Sequence, residues 1–170
     1  AVGASATVGE LLLLADTLAD NAKNAAKIES WDRVSDVDPE GLVCAHPFHG
    51  HGYDFPVPLF AGDHVTDDTG TGFVHTAPGH GEEDFEIWME HPEAHPKEGE
   101  PIPHTVSEDG SFFPHVPIFA GKKVLNADGK DGDANGAVIG ELIKAGALLA
   151  KGKLRHDYPH SWRSKAPVIF

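Results

Sequence analysis

Hydrophobic and polar positions alternate in short, interrupted blocks along the chain. Residues 11–15 are continuously apolar and predict a buried strand. Asp16 can then cap a helix from about Thr17 to Lys27, striped by Leu18, Ala22, Ala25 and Ala26; one longer helix from Gly9 is the alternative. Val34, Val37 and then Leu42, Val43 and Cys44 suggest two short strands around a turn at Pro39, Glu40 and Gly41. Residues 57–60 and 62–66 read as strands, their prolines favouring edges or strand starts. Phe73, Val74, His75 and Thr76 alternate as a half-buried strand does, with Phe73 and His75 on one face. Glu82, Glu83 and Asp84 open a helix whose inward face would carry Phe85, Ile87, Trp88 and Met89.

The second half continues in the same way. Residues 91–103 form a Pro-, Glu- and Gly-rich surface excursion, and residues 105–106, 111–113 and 122–125 are small strands between turns. Asp133 caps an amphipathic helix over residues 134–145, with Val138, Leu142 and Ala145 at helical spacing and Gly146 as its stop. Residues 148–170 alternate apolar and basic side chains. The predicted fold is mainly β, a small β-barrel or curled sheet with peripheral α-helices, in a single domain spanning residues 1–170 whose first ten residues are a flexible entry.

Composition narrows the function. The chain has 170 residues, and no apolar run is long enough to span a membrane. Its single cysteine, Cys44, excludes an internal disulfide and any multi-cysteine metal site. Thirteen Lys and Arg against 27 Asp and Glu leave a net charge of −14, which argues against a broad phosphate-gripping surface. A nucleic acid would be held at one end, or mainly by another domain. His46, His49 and His51 raise the question of a metal, but no acidic or thiol partner stands at a familiar offset; a loop of solvated histidines is the expectation.

The richest chemistry lies in residues 66–85. Gly70, Gly72, Gly79 and Gly81 permit tight turns or close approach of backbone to a ligand on either side of one short strand. Carboxylates in a first helical turn are favoured as anions by the helix dipole. That suits Asp84 to anchoring an ammonium group rather than to general acid work, while Glu82 and Glu83 serve as ordinary helix-start acids.

The run from Gly70 through Val74, His75, Thr76, Ala77, Pro78, Gly79, His80 and Gly81 to Asp84 and Phe85 closely resembles the inserted editing domain of class I isoleucyl-tRNA synthetases. A second run, His156, Asp157, Tyr158, Pro159, His160, Ser161, Trp162 and Arg163, resembles the segment where that insertion returns to the catalytic domain, making residues 155–170 an exit segment. Residues 133–146 resemble the helix between the two. Leucyl- and valyl-tRNA synthetases carry related insertions, but the wording from Val74 to Gly81 is nearer the isoleucine enzyme.

The resemblance implies a cytoplasmic hydrolase acting on valine misattached to the 3′ end of isoleucine tRNA, and on valyl-adenylate, with no cofactor in this domain and the catalytic domain of the same synthetase as neighbour. A pocket that fits isoleucine cannot strongly exclude a side chain one methylene smaller, and the isoleucine enzyme is itself the standard example. By the same resemblance Asp84 binds the free α-amino group, and His75 walls a small side-chain pocket. Gly70, Thr71 and Gly72 face the ester or terminal ribose, with Thr76 and His80 alongside. Water is oriented by backbone and substrate hydroxyls.

Two departures carry expectations of their own. The family opens this domain with a threonine-rich, tryptophan-containing segment, and residues 1–10 stand in its place, so the chain alone is expected to fold but to hydrolyse poorly, or to act only as an amino-acid or adenosine binding module. Ser161 and Ser164 stand where some relatives carry a zinc-binding cysteine pair, so that corner is expected to be metal-free.

Overall fold

In the computed structural model the described residues are 6–68, 70–96, 100–152, 159–163, 165 and 167–168. They hold three helices, α1 (Ala19–Ala26), α2 (Glu82–Glu90) and α3 (Ala134–Lys144), with short 3-10 turns at Asp16–Leu18 and Pro92–Ala94. Two strands, β1 (Val43–Ala45) and β2 (Pro56–Pro58), form an antiparallel pair in which Val43 faces Pro58, Cys44 faces Val57 and Ala45 faces Pro56. Prolines have no N–H to give a ladder, so Pro56 and Pro58 confine the pairing to three residues. Isolated bridges among the described residues pair Val106 with Phe112, Ser111 with Lys123, Leu125 with Asp131, and His160 with Pro167.

Apolar side chains are buried in separate places. The largest cluster, Phe48, Val116 and Phe119, is 4–6% exposed and is covered by Tyr53, Phe112, Phe113 and, from α3, Ala137, Val138 and Leu142. Phe48 and Phe119 pack with ring centres 5.5 Å apart, and Tyr53 donates its hydroxyl to the Pro117 carbonyl at 2.8 Å. Each buried phenyl ring contributes about 1.5–3 kcal/mol. Leu18, Ala22 and Ala26 form the buried stripe of α1, and Ile87 is the buried residue of α2.

Helix boundaries follow local chemistry. Gly146 adopts φ +67°, and the bonds from Ala147 N–H to Leu142 O and Gly146 N–H to Ile143 O close α3 in a Schellman motif. α1 closes in the same pattern with Lys27 at φ 56°. Asp133 begins α3 as expected, but its carboxylate accepts Lys123 N–H at 2.8 Å and pairs with Lys122 at 2.8 Å instead of capping the helix.

Several expected elements differ. Residues 11–15 are not a buried strand: Leu11 is 76% exposed, and the segment holds no ladder. Asp16 gives no side-chain cap; Arg33 holds it through Nε at 3.2 Å and Nη2 at 3.0 Å, and these bonds hold its pKa below the usual carboxylate range. Val34 and Val37 lie exposed outside any strand, although the turn at Pro39 forms, with Leu42 N–H bonded to Pro39 O. Residues 62–66 turn back on themselves through Val65 N–H to Gly62 O. Residues 73–76 have no ladder partner among the described residues. On α2 the inward positions are Asp84, Ile87 and Trp88, while Phe85 and Met89 face outward, because helical spacing places residue 84 rather than 85 above 87 and 88. The surface excursion is pinned to α2: Trp88 Nε1 donates to Pro101 O at 2.8 Å, and His95 stacks on the indole.

Candidate functional site around Asp84

A tight turn delivers the chain into α2. His80 N–H and Gly81 N–H both bond to the Ala77 carbonyl, at 2.9 and 3.1 Å. Gly81 is the extended N-cap residue, with no side-chain cap bond. Asp84 does the equivalent work from inside the helix: its Oδ2 accepts Ala77 N–H at 3.0 Å, fastening the first turn of α2 to the preceding segment. A Cβ at residue 81 would stand 2.8 Å from that same Oδ2, so a side chain there would displace the carboxylate from its place beside Ala77. Asp84 thus has a structural role whatever else it binds.

Its second oxygen is differently placed. Oδ1 lies 3.9 Å from Nε2 of His64, with the two side chains only 19% and 18% exposed. Gly62 makes room for that imidazole, since a Cβ there would come within 2.8 Å of His64 Cε1 and 3.1 Å of Ile87 Cδ1. Nothing in the local spacing of residues singles out His64. Its signal was the glycine two residues earlier, which only a close neighbour explains.

The glycine loop at residues 70–72 is shaped by left-handed backbone, φ +70° at Gly70 and +84° at Gly72. The close approach that Gly72 permits is to protein: a Cβ there would meet Ala15 Cβ at 2.7 Å, and Ala15 N–H bonds to Thr71 O at 2.8 Å. Thr17 Oγ1 adds a bond to Asp67 O at 2.8 Å, so the residues leading into α1 lie along this loop. Gly70 faces open space.

His75 is exposed and Thr76 half-buried, two residues and one residue before the Ala77 amide that Asp84 holds; His80 is exposed at the turn. His46 belongs in this neighbourhood and is not a solvated loop histidine. Its ring stacks on Tyr53 at 4.5 Å, and its Nδ1 accepts Phe48 N–H at 3.0 Å. Burial, and secondarily the charge of His75, hold its basicity below the ordinary imidazole value. His49 faces Asp54 at 3.3 Å, and His51 is exposed. Among the described residues no group of three His, Cys, Asp or Glu is placed to hold a metal ion, and no helix is long and apolar enough to cross a membrane. Of the exit segment, residues 155–158, 164, 166, 169 and 170 lie outside the described residues; Arg163 stacks over Trp162 at 5.2 Å.

No protein-family model matches the chain. Curated relatives match nearly all of it. It is 56% identical to the isoleucine–tRNA ligase of Rhodopseudomonas palustris over 97% of this chain and 17% of that protein. The enzyme of Caulobacter vibrioides is 55% identical over 95% of this chain, and that of Agrobacterium fabrum 49% over 95%. The chain belongs with the isoleucine–tRNA ligases. It spans 17–18% of the length of these relatives and corresponds to one segment of them. The Asp84 turn, His64 and the glycine loop are thus features of a segment homologous to part of isoleucine–tRNA ligase.

Proposed function

We propose that this chain is the editing region of an isoleucine–tRNA ligase, hydrolysing valine misattached to the 3′ end of isoleucine tRNA and, as a second substrate, valyl-adenylate. The observation that carries the reading is the Asp84 carboxylate, held by one oxygen to Ala77 N–H while the other faces inward toward His64. A fixed, partly buried anion at the end of a turn is suited to an α-ammonium group, and a charged hydrogen bond of that kind contributes about 1.5–3 kcal/mol.

On this reading Asp84 fixes the amino end of the misattached residue, and His75 limits the side chain that fits. Gly70, Thr71, Thr76 and His80 border the ester and ribose. The attacking water is aligned by backbone groups and substrate hydroxyls; proximity and preorganised dipoles, rather than a protein general base, lower the barrier. Completion of the small sheet into a closed barrel, a place within one domain beside the synthetase's catalytic domain, and a cytoplasmic setting belong to the same proposal. The acidic balance of the chain fits a module that grips only the tRNA's end.

One observation favours a second reading for the chain on its own. The backbone face that Gly72 opens is occupied by Ala15, which leaves a binding module without hydrolysis. Titration of amide-linked valyl-adenosine and isoleucyl-adenosine tests recognition. The editing reading expects the valyl compound to bind at least about tenfold more tightly, the scale of one methylene in a fitted pocket. Equal binding, or preference for isoleucyl, contradicts it. Release of valine from the corresponding ester separates hydrolysis from binding alone.

A further inference from the structure

Asp84 has a second polar side chain beside it. Its Oδ2 is engaged by Ala77 N–H at 3.0 Å, so a bound cation would turn to Oδ1. The group nearest that oxygen among its ionisable neighbours is Nε2 of His64, 3.9 Å away, too far for a hydrogen bond between the two. Both side chains are mostly buried, and the imidazole fills space at Gly62 that a Cβ would claim. The two side chains thus stand side by side with no direct hydrogen bond between them.

We propose that Asp84 Oδ1 and His64 Nε2 form a two-acceptor clamp for a primary ammonium group, with His64 the second ligand of the substrate's α-amino nitrogen. The inference rests on the editing reading and adds to it a residue that recognises the amine. An ammonium carries three N–H donors, and a neutral imidazole with its proton on Nδ1 offers a lone pair at Nε2. A nitrogen about 2.9 Å from each atom of a pair 3.9 Å apart sees them about 85° apart. The tetrahedral angle of an ammonium is about 109°, so each N–H bond bends by only about 12°, within the range of a good hydrogen bond. A hydroxyl, with one proton to give, cannot serve both acceptors. The clamp therefore selects an amine over an alcohol of the same shape.

The experiment compares two probes on the full chain: amide-linked valyl-adenosine, and the same compound with the α-amino group replaced by hydroxyl. His64→Phe keeps a ring without a lone pair, and it should weaken the amine probe by about tenfold while changing the hydroxyl probe by less than about twofold. His64→Gln, whose amide oxygen can accept, should restore most of that loss. His64→Ala serves in place of the phenylalanine variant if that ring disturbs folding, as judged by thermal melting. Asp84→Asn is the control for the site itself. If it selectively weakens the amine probe while the His64 variants leave both probes unchanged, or weaken both equally, the clamp is overturned and the editing reading stands. If Asp84→Asn is unselective, or the unaltered chain binds neither probe, both the reading and the clamp fail.

Discussion

The aromatic cluster beneath α3 and the glycine-rich stretch before α2 are built on opposite plans. Phe48, Val116 and Phe119 are almost wholly buried and interlock with Tyr53, Phe112 and three residues of α3. Phe73, Val74 and His75 are apolar or aromatic too, yet all three are exposed and no ladder holds them. That stretch is fixed instead at its ends: by Thr71 O to Ala15 N–H on one side, and by Ala77 N–H to Asp84 on the other. Side chains in the cluster are consumed by packing, whereas those in the stretch stay exposed. The same residue types are therefore packed away in one region and left on the surface in the other.

Truncating a ring in each region gives the largest contrast. Phe119→Ala should cost about 3–5 kcal/mol in urea unfolding, the range for a deleted core phenyl. Phe73→Ala, at a position 38% exposed, should cost less than about 1 kcal/mol. Similar costs at both sites would abolish the distinction.

A smaller effect is expected where the stretch is tethered. Gly72→Ala places a Cβ on a backbone at φ +84° and 2.7 Å from Ala15 Cβ. A loss of about 1–3 kcal/mol follows from strain at such a position. Faster hydrogen exchange at the Ala15 amide, which bonds to Thr71, would locate the damage; a protected amide and unchanged stability would show that the tether carries no strain.

The smallest effect lies where the two regions meet. His46 is attached to the cluster through Tyr53 and Phe48 and feels the charge of His75. Its basicity is lowered on folding, so the unfolded chain takes up the proton first as pH falls. Stability from this group is present above the ordinary imidazole value of about 6.5 and declines as pH drops below it. His46→Gln should flatten that part of the stability profile. An unchanged slope would mean that His46 titrates alike in both states.

Much of this division was legible in the residues, for identifiable reasons. The helix at residues 134–144 and its glycine stop follow from local spacing and a left-handed Gly146, and the acidic start of α2 is written in consecutive residues. The run at residues 11–15 misled because continuous apolarity reports a preference for burial but supplies nothing to cover it; Leu11 stays exposed. Residues 62–66 were misread because alternation cannot reveal that Gly62 yields its space to His64. Asp84 could be singled out from its place in the helix. Its partner His64, twenty residues earlier, depends on a turn that brings residues 62 and 87 together, and periodicity carries no such information.

Calorimetric titration of amide-linked valyl-adenosine into the unaltered chain and into Asp84→Asn tests the central claim most directly. Asparagine can still accept Ala77 N–H, so the turn into α2 should survive while the anion is removed. Unfolding free energy should fall by less than about 1 kcal/mol, the scale of the lost helix-dipole interaction, while binding weakens by up to about 3 kcal/mol. Full affinity in the variant would remove Asp84 from the recognition of the amine and contradict the account.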